Sequence, residues 1–211
     1  MFHVKQSRLA SSTVGVAAKL DAYAELLRRY HRTLDLMSAG AVAALEVKLA
    51  EAQVYPQLIA PQLSPAERIL DLGSGAGLPG VPLALAFPEH EVMWVERRQR
   101  RANFLKIVVS QLELTNVTVF AADVRSVRAE PHSWVCAQAV GSLPLLYCLT
   151  RHLHAEQLTL VTRRADLSPA ETASLEVVAG PTLATVSASL PTHGKLVAVR
   201  VQGGRDCPSS V

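Results

Sequence analysis

The chain is poor in the features that decide a protein's class at a glance. Its three cysteines, Cys136, Cys148 and Cys207, form no C-x-x-C pair and no metal-like cluster. An odd cysteine count in a chain without a secretory apolar segment points to a reducing cytoplasm. No apolar run reaches the roughly 18 residues needed to span a bilayer, so no membrane helix is expected. The seven histidines lack metal-ligand spacing, with His152 and His154 the nearest pair, and no structural metal is expected. The G-x-S-x-G, H-E-x-x-H and G-x-x-x-x-G-K-[ST] signatures are missing, as is any internal repeat. A net charge of +3 is too small to name a partner. What remains is a chain of 211 residues with 49% hydrophobic content, enough for one well-cored domain with a small appendage.

One stretch carries specific information. Ile69-Leu70-Asp71-Leu72 runs into Gly73-Ser74-Gly75-Ala76-Gly77-Leu78-Pro79-Gly80 and then into an apolar helical run, Val81 to Phe87. A strand, a glycine turn and a helix start let a ligand lie against bare backbone at a helix N-terminus. Gly75 to Gly80 matches G-x-G-x-x-G, which a dinucleotide pyrophosphate also uses. A carboxylate just before the loop, at Asp71, repels a pyrophosphate and favours a cationic ligand such as S-adenosylmethionine (SAM). Glu96 ends the next strand, 25 positions after Asp71, close to the roughly 20-residue spacing of a ribose-binding carboxylate. The adenosine is expected between Glu96 and the Asp123–Arg125 turn. Valine at Gly75 should then remove binding by filling the ligand's space.

Periodicity supplies the frame. Residues 14 to about 60 read as two or three helices closed by Pro56, Pro61 and Pro65. From Glu67, strands at 68–72, 91–96, 116–121, 133–139 and 157–162 alternate with helices at about 80–87, 98–113 and 142–153. Ser168-Pro169-Ala170-Glu171 reads as a capping box opening a helix that ends near Gly180. Strands at 183–189 and 195–201 form a closing antiparallel hairpin. The expected architecture is α/β: a mostly parallel, Rossmann-like sheet of the SAM-methyltransferase kind over residues 66–203, a helical extension over 1–65 and a loose tail over 204–211. Arg97, Arg98, Arg100, Arg101 and Lys106 crowd one segment, with further basic clusters at 28–32 and at Arg163-Arg164. Arginines at a helix start oppose its dipole, so something is expected to compensate them. Phosphates of a nucleic acid would meet the patch, and so would plain solvent.

The run L-D-L-G-S-G-A-G-L-P-G-V-P-L-A at 70–84, followed by the acidic strand end and R-x-x-F-L at 101–105, resembles the RsmG (GidB) family. That resemblance implies a cytoplasmic, monomeric enzyme that uses SAM to methylate a guanine N7 in small-subunit ribosomal RNA. It places Gly73 and Leu78 in the cofactor pocket, Glu96 near the ribose and Val124-Arg125 beside the adenine. The candidate cofactor set is Asp71, Gly73, Ser74, Gly75, Gly77, Leu78, Glu96, Arg97, Asp123, Val124, Arg125 and Gln138, with Gln138 and Arg163 as catalytic candidates. The substrate half departs from the family pattern. Asn-Leu-Thr becomes Asp35-Leu36-Met37, His-x-x-Asp-Ser is replaced within Val47 to Ala52, and Arg-x-Glu becomes Asp123-Val124-Arg125. Ser-Arg-Ala becomes Ala137-Gln138-Ala139, and Lys-Gly becomes Arg163-Arg164. Three alternatives stay open: a different RNA or small-molecule substrate, a non-catalytic RNA- or ribosome-binding relative, and a dinucleotide oxidoreductase.

Overall fold

A computed structural model describes residues 3–138, 140–204 and 207, with side chains from residue 15 onward. Three helices come first: α1 (His3–Tyr30), α2 (Ala39–Ala43) and α3 (Leu45–Ile59). Strands and helices then alternate as β1 (Ile69–Leu72), α4 (Gly80–Ala86), β2 (Val92–Val95), α5 (Gln99–Gln111), β3 (Val117–Phe120), β4 (His132–Ala137), α6 (Leu143–Thr150) and β5 (His154–Arg164). Helix α7 (Pro169–Ala179) leads to β6 (Ala184–Ser189) and β7 (Lys195–Gln202). The sheet order is β3-β2-β1-β4-β5-β7-β6, with β1 to β5 parallel and β7 antiparallel to both neighbours. This is the α/β architecture expected from the periodicity, hairpin included.

The two faces of the sheet follow from strand alternation. Ile69, Trp94, Trp134 and Cys136 point to one side, where they pack with Tyr23 and Leu27 of α1, Tyr55 and Ile59 of α3, and Phe104 and Leu105 of α5. Leu70, Leu72, Val95 and Leu160 point to the other, against Leu146 and Tyr147 of α6 and Leu175 of α7. Burying one large apolar side chain contributes about 1.5–3 kcal/mol. The N-terminal helices therefore share their core with the sheet.

Four local expectations are corrected. Pro56 does not close a helix: α3 runs through it to Ile59, because Leu58 and Ile59 beyond it stay buried on the same face as Tyr55. Strand β5 begins at His154, since a 3-10 turn at Arg151–Leu153 ends the preceding helix early. Ser168 does cap α7 by accepting from the Glu171 amide at 3.1 Å, but the Glu171 carboxylate turns away to Arg164 and the Leu143 amide. The tail is tied where it is described: the Gly204 amide donates to His154 Nδ1 at 3.4 Å, and Cys207 is disulfide-bonded to Cys148. Residues 205, 206 and 208–211 of the expected loose tail, and Ala139, lie outside the described residues.

Candidate active site

The loop after β1 turns on three glycines with positive φ: Gly73 at 70°, Gly75 at 56° and Gly77 at 99°. That conformation is open to glycine at no steric cost. The Gly73 amide donates to Val95 O at 2.8 Å, tying the turn to β2. The Tyr23 hydroxyl donates to Ala76 O at 2.7 Å, tying it to α1. Beside this loop, at the carboxyl ends of β1, β2 and β4, lies a cavity of about 460 Å³. Strand order reverses between β1 and β4, so the cavity occupies the switch point where open α/β sheets take ligands.

Seven of the sequence candidates line it: Gly73, Glu96, Arg97, Asp123, Val124, Arg125 and Gln138. Leu72, Val95, Val140 and Leu149 add apolar wall. Glu96 is 5% exposed; one carboxylate oxygen accepts from the Gly75 amide at 3.0 Å and the other from the Arg98 amide at 2.8 Å. This buried anion at the start of α5 is the compensation that the arginine-rich helix start calls for. Each oxygen keeps a lone pair for a ribose hydroxyl. Arg101 also lines the cavity, a cofactor-side position that the sequence pattern does not single out. Its Nε donates to Asp35 O at 2.9 Å, which joins α5 to the segment after α1.

Asp71, Ser74, Gly75, Gly77 and Leu78 are not part of the cavity wall. Asp71 is paired in register with Trp94 and Cys136, so its side chain faces the α1 and α3 layer and is 1% exposed. The electrostatic reading that placed its charge against the ligand is therefore corrected. Neither Asp71 carboxylate oxygen, nor the neighbouring Trp94 Nε1, meets hydrogen-bond geometry among the described residues. Burial pushes the Asp71 carboxyl up to about 7, with the Ser74 side chain and Gly80 amide holding it back and the Glu96 charge adding to the rise. Because the folded value lies above the ordinary 3.8, the native state binds the extra proton, and stability falls as pH rises from about 4 to about 7. Denaturant titrations across that window should show the slope flattening in Asp71→Asn; an unchanged slope would assign the effect to another group.

Gln138 and Arg163 are not brought to one wall. Gln138 lines the cavity, while the Arg163 Nη1 donates to Glu51 Oε2 at 2.9 Å and its Nη2 to His193 O at 3.0 Å. The Thr192 hydroxyl donates to the other Glu51 oxygen, and Lys48 Nζ lies 3.8 Å from the carboxylate. Arg163 is thus a tied cation, joining β5 to α3 and to the β6–β7 turn. Glu51 escapes a reading of the sequence because its partners lie 112 and 141 positions away. The other basic clusters are also partly neutralised: Arg164 pairs with Glu171 at 2.9 Å, and Arg28 with Glu25 and Glu46 at 2.7 Å each. Arg97, Arg98 and Arg100 remain exposed.

The family model of rRNA small subunit methyltransferase G, GidB, matches residues 16–185. The ribosomal RNA small subunit methyltransferase G of Nitrosomonas europaea is 30% identical over 202 residues, 93% of this chain and 92% of that protein. Its counterpart from Nitrosomonas eutropha is 33% identical over 148 residues, 70% of this chain and 67% of that protein. The ribosomal RNA small subunit methyltransferase G 2 of Syntrophobacter fumaroxidans is 36% identical over 136 residues, of which this chain spans only 26% of its length. Among solved structures, M. jannaschii TYW2 in complex with AdoMet superposes with a TM-score of 0.58 at 15% identity, over 72% of this chain and 77% of that one. A SAM-dependent methyltransferase from Aquifex aeolicus gives 0.54 at 13% identity, over 74% and 92%. At such identities these two speak for the fold alone. The sequence match, which extends from the middle of α1 to the start of β6, decides the family: the chain belongs to the rRNA small subunit methyltransferase G family.

Proposed function

We propose that this protein transfers a methyl group from SAM to N7 of a guanine in small-subunit ribosomal RNA. The observation that carries this reading is the cavity at the strand switch point, with buried Glu96 on one wall and the exposed Arg97 and Arg98 beside it, next to the exposed Arg100 in the chain. The residues present suit the cofactor. Gly73 leaves room where a side chain would stand, Glu96 takes the ribose, and Leu72, Val95, Val124, Val140 and Leu149 offer apolar surface to an adenine. SAM supplies an electrophilic methyl on a sulfonium.

Guanine N7 has a free lone pair at neutral pH, so the chain needs no general base. Its contribution is to hold the base in line with the methyl and keep the pocket dry. Gln138, on the cavity wall, offers an amide that both donates and accepts and so holds a base edge. Arg163 is the candidate contact to substrate phosphate or base, presented at the end of β5 by Glu51. The helical segment braces the site through Tyr23, which holds the loop at Ala76 O, and Asp35, which holds Arg101 of α5. A ribosomal substrate places the protein in the cytoplasm, and we take it to act as a monomer. In that compartment the Cys148–Cys207 bond faces a reducing pool, and thiol counting on freshly lysed protein reads its state.

The test is methyl transfer from labelled SAM to small ribosomal subunits and to their free RNA, followed by nucleoside mass spectrometry. A 7-methylguanosine should appear. Transfer to neither substrate, with SAM still bound, would leave the non-catalytic binding relative as the reading, which the five substrate-half departures favour. The arginines give a second measurement. Arg98→Gln with Arg100→Gln should weaken RNA binding at low salt and lower the salt slope by about 0.7 for each phosphate no longer neutralised. An unchanged slope would return these side chains to solvent. Arg101 is left out because Asp35 holds it against the cavity.

A further inference from the structure

A second cleft, of about 390 Å³, opens beside the cofactor cavity between the turn after β3 and the junction of α6 with β5. Arg125, Arg128, Arg151 and His152 line it, together with Cys148 and Leu149. The pattern is invisible along the chain, since the contributing segments stand about twenty positions apart. Folding brings them together because β4 and α6 return the chain to the edge of the turn at 124–128. Arg125 and Leu149 belong to both cavities, so the cleft continues from the end of the cofactor site that Val124 and Asp123 form.

We infer that this cleft binds backbone phosphates of the RNA strand whose base enters the cofactor site; this rests on the RNA methyltransferase reading. Its polar side chains are preset. Arg128 Nη1 donates to the carbonyls of Arg125 at 3.0 Å and Val127 at 2.9 Å, which fixes the guanidinium and leaves its other donors open among the described residues. The His152 Nε2 lies 3.1 Å from Val124 O, which fixes the imidazole. A planar fork held in place suits a phosphate better than a mobile lysine does. Arg125 Nη1 lies 3.9 Å from the half-exposed Asp123 carboxylate, while the Arg128 guanidinium is held by backbone carbonyls alone among the described residues. Arg97 and Arg98 border the cofactor cavity on its other flank. A strand crossing the cavity mouth therefore meets cations before and after the reacting nucleotide.

The experiment uses the full chain without reductant, which keeps the Cys148 wall intact. Arg128→Gln combined with Arg151→Gln changes two exposed residues that do not line the cofactor cavity. Binding of a labelled single-stranded segment of small-subunit ribosomal RNA is followed across salt concentrations. The double variant should bind about tenfold more weakly at low salt, and its slope should drop by about 1.4, two phosphates at roughly 0.7 each. SAM affinity by calorimetry should stay within about twofold of wild type. Arg128→Lys alone should keep the slope while weakening binding, because the charge survives and the fork does not. Unchanged RNA affinity and slope in the double variant would overturn the inference. Should inorganic pyrophosphate bind the wild-type cleft and yet RNA binding ignore the substitutions, the cleft is a small-anion site and the inference fails as well. The Arg98 and Arg100 variants separate the two levels: weaker binding there without weaker binding here removes the cleft but keeps the RNA reading. A wild type that binds no RNA removes both.

Discussion

Valine at Gly73 should remove SAM binding, raising the dissociation constant by roughly 100-fold, about 2.7 kcal/mol. Two effects add at this position. Gly73 sits at φ 70°, where a residue with a Cβ costs about 1–2 kcal/mol and a branched one more. The added Cβ would also stand 3.1 Å from Val140 Cγ2, and the remaining methyls would enter the cavity that both residues line. Gly75, the position that the sequence pattern favoured, is different. A Cβ there meets nothing closer than Gly73 O at 3.6 Å and Arg101 Nη1 at 3.9 Å. Gly75→Ala should therefore carry only the backbone cost of about 1–2 kcal/mol and weaken binding by about five- to thirtyfold, less than Gly73→Val, since 1.4 kcal/mol is one decade. Calorimetric titration of both variants decides the matter. If the loss at Gly75 exceeds that at Gly73, the ligand lies deeper over the loop than the cavity implies.

The contrast between these glycines marks what a sequence can carry. Spacing identifies the loop, because tight turns need glycine and the strands on either side alternate with period two. It also finds Glu96, since the end of a strand is legible from the run of apolar residues before it. Direction is harder. Whether Asp71 faces the ligand or the helices depends on which face the N-terminal helices cover, and that is decided by Tyr23, Tyr55 and Trp94 meeting across 71 positions of chain. Long-range pairs are beyond reach for the same reason: nothing local links Cys148 to Cys207, 59 positions on, or Glu51 to Arg163. The passage of α3 through Pro56 belongs here too, since tertiary burial of Leu58 and Ile59 overrides the local preference of proline to end a helix. Features set by neighbours in sequence are legible; those set by neighbours in space are not.

Breaking the Glu51–Arg163 pair has the second large expected effect. The Glu51 side chain is 7% exposed and that of Arg163 23%, so removing either leaves a poorly hydrated charge behind, at a cost of about 3 kcal/mol. For a chain of this size that is roughly 6–12 °C in melting temperature. Burial disfavours the Glu51 carboxylate, but the Thr192 hydroxyl, Arg163 and Lys48 outweigh it and hold the carboxyl below its ordinary 4.5. Its contribution is thus present at neutral pH and lost as pH falls through the lowered value, so Glu51→Gln should lose less than wild type on acidification. Glu51→Ala with Arg163→Ala should cost less than the sum of the two singles, because the double variant leaves no orphan charge. The same set resolves what Arg163 does in catalysis. Methyl transfer is measured per folded molecule, well below the melting point of the weakest variant. A substrate contact at Arg163 predicts a large drop in rate in Arg163→Ala and in the double variant, with Glu51→Ala keeping most of the rate because its arginine is still present. Equal drops in both single variants, with SAM affinity intact, would mean that the pair acts only by fixing α3 and the β6–β7 turn, and that Arg163 does not touch the substrate.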